Sequence, residues 1–114
     1  MKIQKLLDSA GPSIVDVSVT WNGVTEDFKM RRLPYLEFDR IRNTGLGVDG
    51  KYDPARATGI NGRYLAPALI DEGDQQYDAN EINQWPPGLV LALMQEFSKV
   101  NAFDVTTRDQ AAKN

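Results

Sequence analysis

Residues 14–31, IVDVSVTWNGVTEDFKMR, decide the fold. Asn22-Gly23 is the preferred pair for a two-residue type I′ hairpin turn, because both central positions need positive φ. With the turn placed there, Trp21 opposes Val24, Val19 opposes Glu26, Val17 opposes Phe28 and Val15 opposes Met30, and seven of these eight side chains are apolar. The other face pairs Thr20 with Thr25, Ser18 with Asp27, Asp16 with Lys29 and Ile14 with Arg31, a polar set with one opposite-charge pair. A slip of one residue would exchange the two faces, so the pattern itself sets the register. The expectation is a hairpin over 13–32 with one buried face.

On the N-terminal side, Ile3, Leu6, Leu7 and Ala10 recur at helical spacing until Gly11-Pro12 ends the run. Two turns of helix are marginal alone, so this stripe must dock on its own sheet or on a neighbouring subunit. On the C-terminal side, Pro34 suits the first position of a helix running to about Arg42, with Tyr35, Leu36, Phe38 and Ile41 as its apolar side. Residues 43–53 hold Gly45, Gly47 and Gly50, with Leu46 and Val48 as the only apolar anchors, and read as a mobile surface loop. Asp53-Pro54 reads as a helix N-cap and first residue, and Gly59 and Gly62 argue against continuation past about Ile60. Pro67 makes Tyr64 to Ile70 an extended or edge segment.

Asp78 with Glu81 forms a capping box that opens a short helix placing Ile82 and Trp85 on one side, and Pro86-Pro87 then resets the direction. From Gly88 to Asn101, six apolar side chains (Leu89, Val90, Leu93, Met94, Phe97 and Val100) fall within an arc of about 140°. This is the main core helix. Leu91 falls about 60° outside that arc and is either extra core or an exposed contact. The order of elements predicts an α+β fold: a small single domain over 1–103 with an N-terminal β-hairpin and several short helices ending in an amphipathic C-terminal helix. Residues 104–114 form a polar, flexible tail.

The composition narrows the chemistry. The chain has 114 residues, a net charge of -3 and neither cysteine nor histidine. That combination excludes disulfides, thiolate nucleophiles, imidazole bases and nearly every zinc or transition-metal site. The acidic balance disfavours a polyanionic partner. No stretch reaches 18 consecutive apolar residues, and the start lacks the apolar core of a secretory signal, so a cytosolic protein is expected, with no membrane partner.

Four constellations invite a chemical reading, and each has a plainer one. Asp71, Glu72, Asp74 and Asp78 surround Gly73, but Ile82 stands where an EF-hand needs its twelfth-position acid, which favours a solvated acidic turn over a cation site. Gly45, Gly47 and Gly50 match a dinucleotide fingerprint in spacing but have no strand before them, which favours a loop. Lys29, Arg31, Arg32, Arg40 and Arg42 form a locally basic region, yet adjacent strand residues Arg31 and Arg32 point to opposite faces, so a salt-bridging surface is preferred to nucleic-acid binding. Carboxylates such as Glu37 and Asp39 have no nucleophile at a legible spacing, and no enzymatic activity or cofactor is expected. Of the two tryptophans, Trp85 is assigned to the core, while Trp21 at the hairpin end is placed with Leu91 as a partner-binding residue.

The C-terminal half carries a resemblance. Leu65 to Ile82 supplies a short apolar segment, an acidic turn with Gly73, an aromatic at Tyr77 and a capped short helix. Trp85-Pro86-Pro87 and an apolar helix from Leu89 closing on Val100-Asn101 follow. This succession resembles the tail assembly chaperones of long-tailed bacteriophages over residues 54–101, and more loosely over 14–42. It departs in the 43–53 loop and at Gly59 and Gly62. The resemblance implies a small α+β protein that coats the tape measure protein, keeps it soluble during tail assembly in the host cytoplasm, and is absent from the mature virion. It further implies a homo-oligomer and a longer frameshifted form of the same chain as partner. The alternative is a structural head-tail joining or tail-terminating protein that stays in the virion.

Overall fold

The structure, a computed structural model, describes residues 1–9, 11–71 and 76–101. Ala10, the expected tail 104–114, and Glu72, Gly73 and Asp74 of the acidic turn lie outside the described residues. The order of elements is α1 (Lys2–Ser9), β1 (Ile14–Trp21), β2 (Val24–Arg31), α2 (Tyr35–Asn43), α3 (Pro54–Ala57), α4 (Ile60–Ala68), β3 (Leu69–Ile70), α5 (Ala79–Ile82) and α6 (Pro87–Val100). The fold is α+β.

The hairpin forms in the expected register, from Ile14 opposite Arg31 to Trp21 opposite Val24. Asn22 and Gly23 take φ of 56° and 79°, the pair of positive angles that a type I′ turn requires. Val17, Val19 and Met30 are buried on the apolar face, and Val15 and Phe28 are packed against the same cluster. The opposite face is exposed along most of its length, and Thr20 and Thr25 there share a hydroxyl hydrogen bond of 2.6 Å. β3 adds two residues to the other side of β2, Leu69 opposite Met30 and Ile70 opposite Lys29, which makes β2 central in a three-stranded antiparallel sheet.

α4 and α6 cover the apolar face. Leu93, Phe97 and Val100 of α6 are buried with Leu65, Ala68 and Ile82, so the arc read from the sequence is the face that packs. Tyr64 stands between Phe38 and Phe97, with ring centroids 5.2 and 5.5 Å away. The end of α6 is tied to the segment that follows the hairpin. Arg32 donates from Nε to the Val100 carbonyl at 3.0 Å, and the Leu33 amide donates to Asn101 Oδ1 at 2.7 Å. A guanidinium against the last carbonyls also suits the negative end of the helix dipole.

Several local expectations change. Residues 64–68 are helical, and only Leu69–Ile70 are extended. Pro67 removes one backbone donor, but it does so in the last turn of α4, where Leu65 and Ala68 are completely buried, and that packing outweighs the lost bond. The expected stop near Ile60 is instead a start. Gly59, at φ 76°, ends the single turn of α3 and lets α4 begin, and Gly62 sits inside α4 because another helix approaches it closely. Pro34 occupies the N-cap of α2, not its first helical position, and its carbonyl accepts from the Phe38 amide at 3.0 Å. Tyr35 and Leu36 face solvent, so only Phe38 and Ile41 supply the inward side of α2.

The glycine-rich loop is hydrogen-bonded throughout. Leu46 and Tyr52 form a bridge, the Gly47 amide donates to the Lys51 carbonyl at 2.8 Å, and the Asp53 amide returns to the Gly45 carbonyl at 2.9 Å. Arg63 Nη2 reaches the carbonyls of Arg56 and Thr58 at 2.6 and 2.7 Å and holds the short helix beside the loop. Val48 is fully exposed, so Leu46 is the apolar anchor and Val48 is not.

Candidate binding surface

Two grooves flank Trp85. The Asp78 carboxylate accepts from the Glu81 amide at 2.8 Å, as the capping box predicts, and starts α5. Its single turn delivers Ile82 to the core and leaves Trp85 half-buried at the turn into α6. Tyr77 meets Trp85 edge to face, with centroids 5.1 Å apart. Trp85 therefore packs as expected on one side and forms a ridge on the other.

The first groove, of about 340 Å³, runs between α4 and α6 and is lined by Ile60, Asn61, Trp85, Pro87, Val90 and Leu91 among others. Among the described residues, no charged side chain contributes to this lining. Leu91 is 58% exposed and so is not part of the core. The second groove, of about 400 Å³, opens where β3 stops short and the edge of β2 continues. Phe28, Leu69, Trp85, Leu89 and Leu93 form its apolar wall, and Glu26, Asp27 and Asp71 supply the charge.

Asp71 accepts a hydrogen bond of 2.5 Å from the Tyr77 hydroxyl, and that bond, followed by burial and the nearby carboxylates, raises the Tyr77 pKa above its ordinary value of 10.0. A phenol whose folded pKa lies above the unfolded one contributes stability below pH 10 that disappears as pH rises through the folded value. In an ultraviolet titration Tyr77 is expected to ionise above its ordinary value, and Asp71→Asn should lower its midpoint. A titration curve left unchanged by Asp71→Asn would contradict the Asp71 contact.

Trp21 packs at the N-terminus of α6. A Cβ built on Gly88 would stand 2.9 Å from Trp21 Nε1, so the glycine leaves the space that the indole occupies. Trp21 remains 37% exposed. The two residues read as partner contacts both lie at the first turns of α6, Trp21 over Gly88 and Leu91 three positions on. Tyr77 and Gly88 were not singled out as functional from the sequence, and Asp71 was weighed only as part of an acidic turn. Gly88 was read only as the start of the last helix, and its partner is far away along the chain.

No protein-family model, curated protein or solved structure matches this chain.

The remaining constellations are accounted for locally. Asp39 pairs with Arg42 one turn on, and Arg32 is committed to α6. Lys29 and Arg31 lie on the open sheet face beside Asp16 and Asp27. The glycine fingerprint lies between α2 and the one-turn α3, without the strand that a dinucleotide site needs ahead of it. Among the described residues, no helix is long and apolar enough to cross a membrane.

Proposed function

We propose that this chain is a binding protein that captures an apolar helical segment of a larger partner, acting as a tail assembly chaperone that keeps the tape measure protein soluble. The observation that carries the reading is the uncharged groove between α4 and α6, with Leu91 standing exposed at its wall. A groove between two helices accepts an amphipathic helix through apolar anchors at successive turns. One such groove is a weak site. Many copies along one long helix convert weak contacts into avid binding. The sequence resemblance over 54–101 supplies the partner class, and the groove lies within that stretch. In this reading the chain works in the host cytoplasm, together with a longer frameshifted form of itself.

The test is a pull-down from cells expressing the phage genes, with mass spectrometry of what is bound. A long helical protein should come down with the wild-type chain. Leu91→Arg should reduce that capture by about tenfold, the size of effect expected when a charge enters an apolar contact, while the unfolding midpoint stays within experimental error because Leu91 is exposed. Purified virions should lack the chain. Its presence there in fixed ratio to tube or capsid proteins would replace this reading with that of a structural joining or terminating protein.

A further inference from the structure

The hydrogen bonds of the hairpin alternate along β2. The two-residue turn makes Trp21 and Val24 a hydrogen-bonded pair, and at the other end the Arg32 amide donates to the Ser13 carbonyl at 2.7 Å, so the even-numbered residues turn their backbone groups toward β1. Thr25, Asp27 and Lys29 turn theirs to the opposite edge. β3 meets that edge only at Lys29 and Met30, where Ile70 and Leu69 stand opposite. Among the described residues, no backbone group pairs with Thr25 or Asp27 on this side. An unpaired edge of this kind is a template for another strand.

The edge runs along the acid-rimmed groove. Glu26 and Phe28 point to its helix-covered side and Asp27 to the open face, as alternate residues must, while Trp85 and Leu89 stand in the wall. Glu26, Asp27 and Asp71 give the groove three carboxylates, and no cation is among its described lining residues. The nearest cation along β2, Lys29, stands opposite Asp16. We propose that an extended, cationic segment of a partner protein adds to β2 here, antiparallel, beyond the end of β3. In that pairing the residues opposite Thr25 and Asp27 make the backbone hydrogen bonds and lie on the open face, where a lysine or arginine meets Asp27. The residues between them turn apolar side chains toward Trp85 and Leu89. A second copy of this chain does not suit the site. Its own β2 edge would bring Glu26 and Asp27 beside the same carboxylates, and β1 carries no cation to offer. Trp85 stands between this edge and the groove holding Leu91, so the two can be tested apart.

The probe is a fluorescein-labelled peptide, Lys-Val-Lys-Leu-Lys-Val-Lys, titrated with the full chain and followed by anisotropy. Binding should weaken with added salt. The double variant Glu26→Gln and Asp27→Asn, altered only at exposed positions, should lose about tenfold in affinity with an unchanged unfolding midpoint. Methylating the lysine amides of the peptide should cost about 100-fold, because those N–H groups face β2, whereas methylating the valine and leucine amides, which face away, should change affinity by less than about twofold. In the complex, amide exchange should slow at Thr25 and Asp27. Absence of binding overturns the proposal, and so does equal binding of a peptide with glutamate in place of lysine. Equal affinities for the two methylated peptides also overturn it, as does slowed exchange confined to β1, which would put the peptide on the other edge of the sheet.

Discussion

Replacing Gly62 by alanine is expected to cost about 3 kcal/mol of folding stability, near the upper end for a single added methyl group. The residue is buried in α4, and a Cβ there would stand 2.4 Å from Asn83 Oδ1 and 2.7 Å from the Ala79 carbonyl oxygen. Neither neighbour can move aside cheaply. The Asn83 amide donates to the Gly59 carbonyl at 3.0 Å, and the Ala79 carbonyl is backbone of α5, accepting from the Asn83 amide at 3.0 Å. Equilibrium urea unfolding measures the loss as a lower midpoint at unchanged slope. The background matters as much as the size. Removing the Asn83 side chain as well should recover little, because the backbone clash remains, and full recovery in the double variant would show that α4 and α5 are not held as described.

Phe97→Ala should cost about 3 to 5 kcal/mol, the range for truncating a fully buried aromatic. Phe97 is 1% exposed, belongs to the cluster that joins the sheet to α4 and α6, and packs against Tyr64 with ring centroids 5.5 Å apart. In a chain of 114 residues this is a large share of the total stability. Phe97→Leu keeps most of the volume and should cost less than half as much, so the pair of variants separates lost packing from a general intolerance of change at the site. A thermal unfolding series reads both. An alanine variant as stable as the wild type would remove Phe97 from the core.

The hairpin was legible because everything that sets it is local. An Asn-Gly turn fixes which residues face each other, and the alternation of Val15, Val17, Val19 and Trp21 against their partners fixes which face is buried. The α5 cap was legible for the same reason, since Asp78 and Glu81 are three residues apart and need no other part of the chain. α6 declared its buried face through spacing alone. The stretch from 59 to 70 was not legible. Two glycines and a proline argue against helix on propensity, and what overrides them is contact with residues distant in sequence: Asn83 and Ala79 over Gly62, and the core around Leu65 and Ala68.

The candidate surface divides the same way. Leu91 could be placed outside the apolar arc from the sequence, but only the packing of α4 beside α6 decides that it lines a groove. Trp21 could be placed at the hairpin end, but its seat depends on a missing Cβ at Gly88 on the far element. The acid-rimmed groove exists because β3 is only two residues long, so the β2 edge beyond it is left for Tyr77 and Trp85 to border. Sequence by itself determined the elements whose determinants lie within a few residues: the hairpin and its register, the capped turn at Asp78, the buried face of α6 and the amphipathic α1. Tertiary structure alone decided where glycines allow helices to touch, where a proline is tolerated, and which apolar side chains are left exposed, because each of those outcomes is set by the neighbour that packing brings and not by the neighbour in the chain.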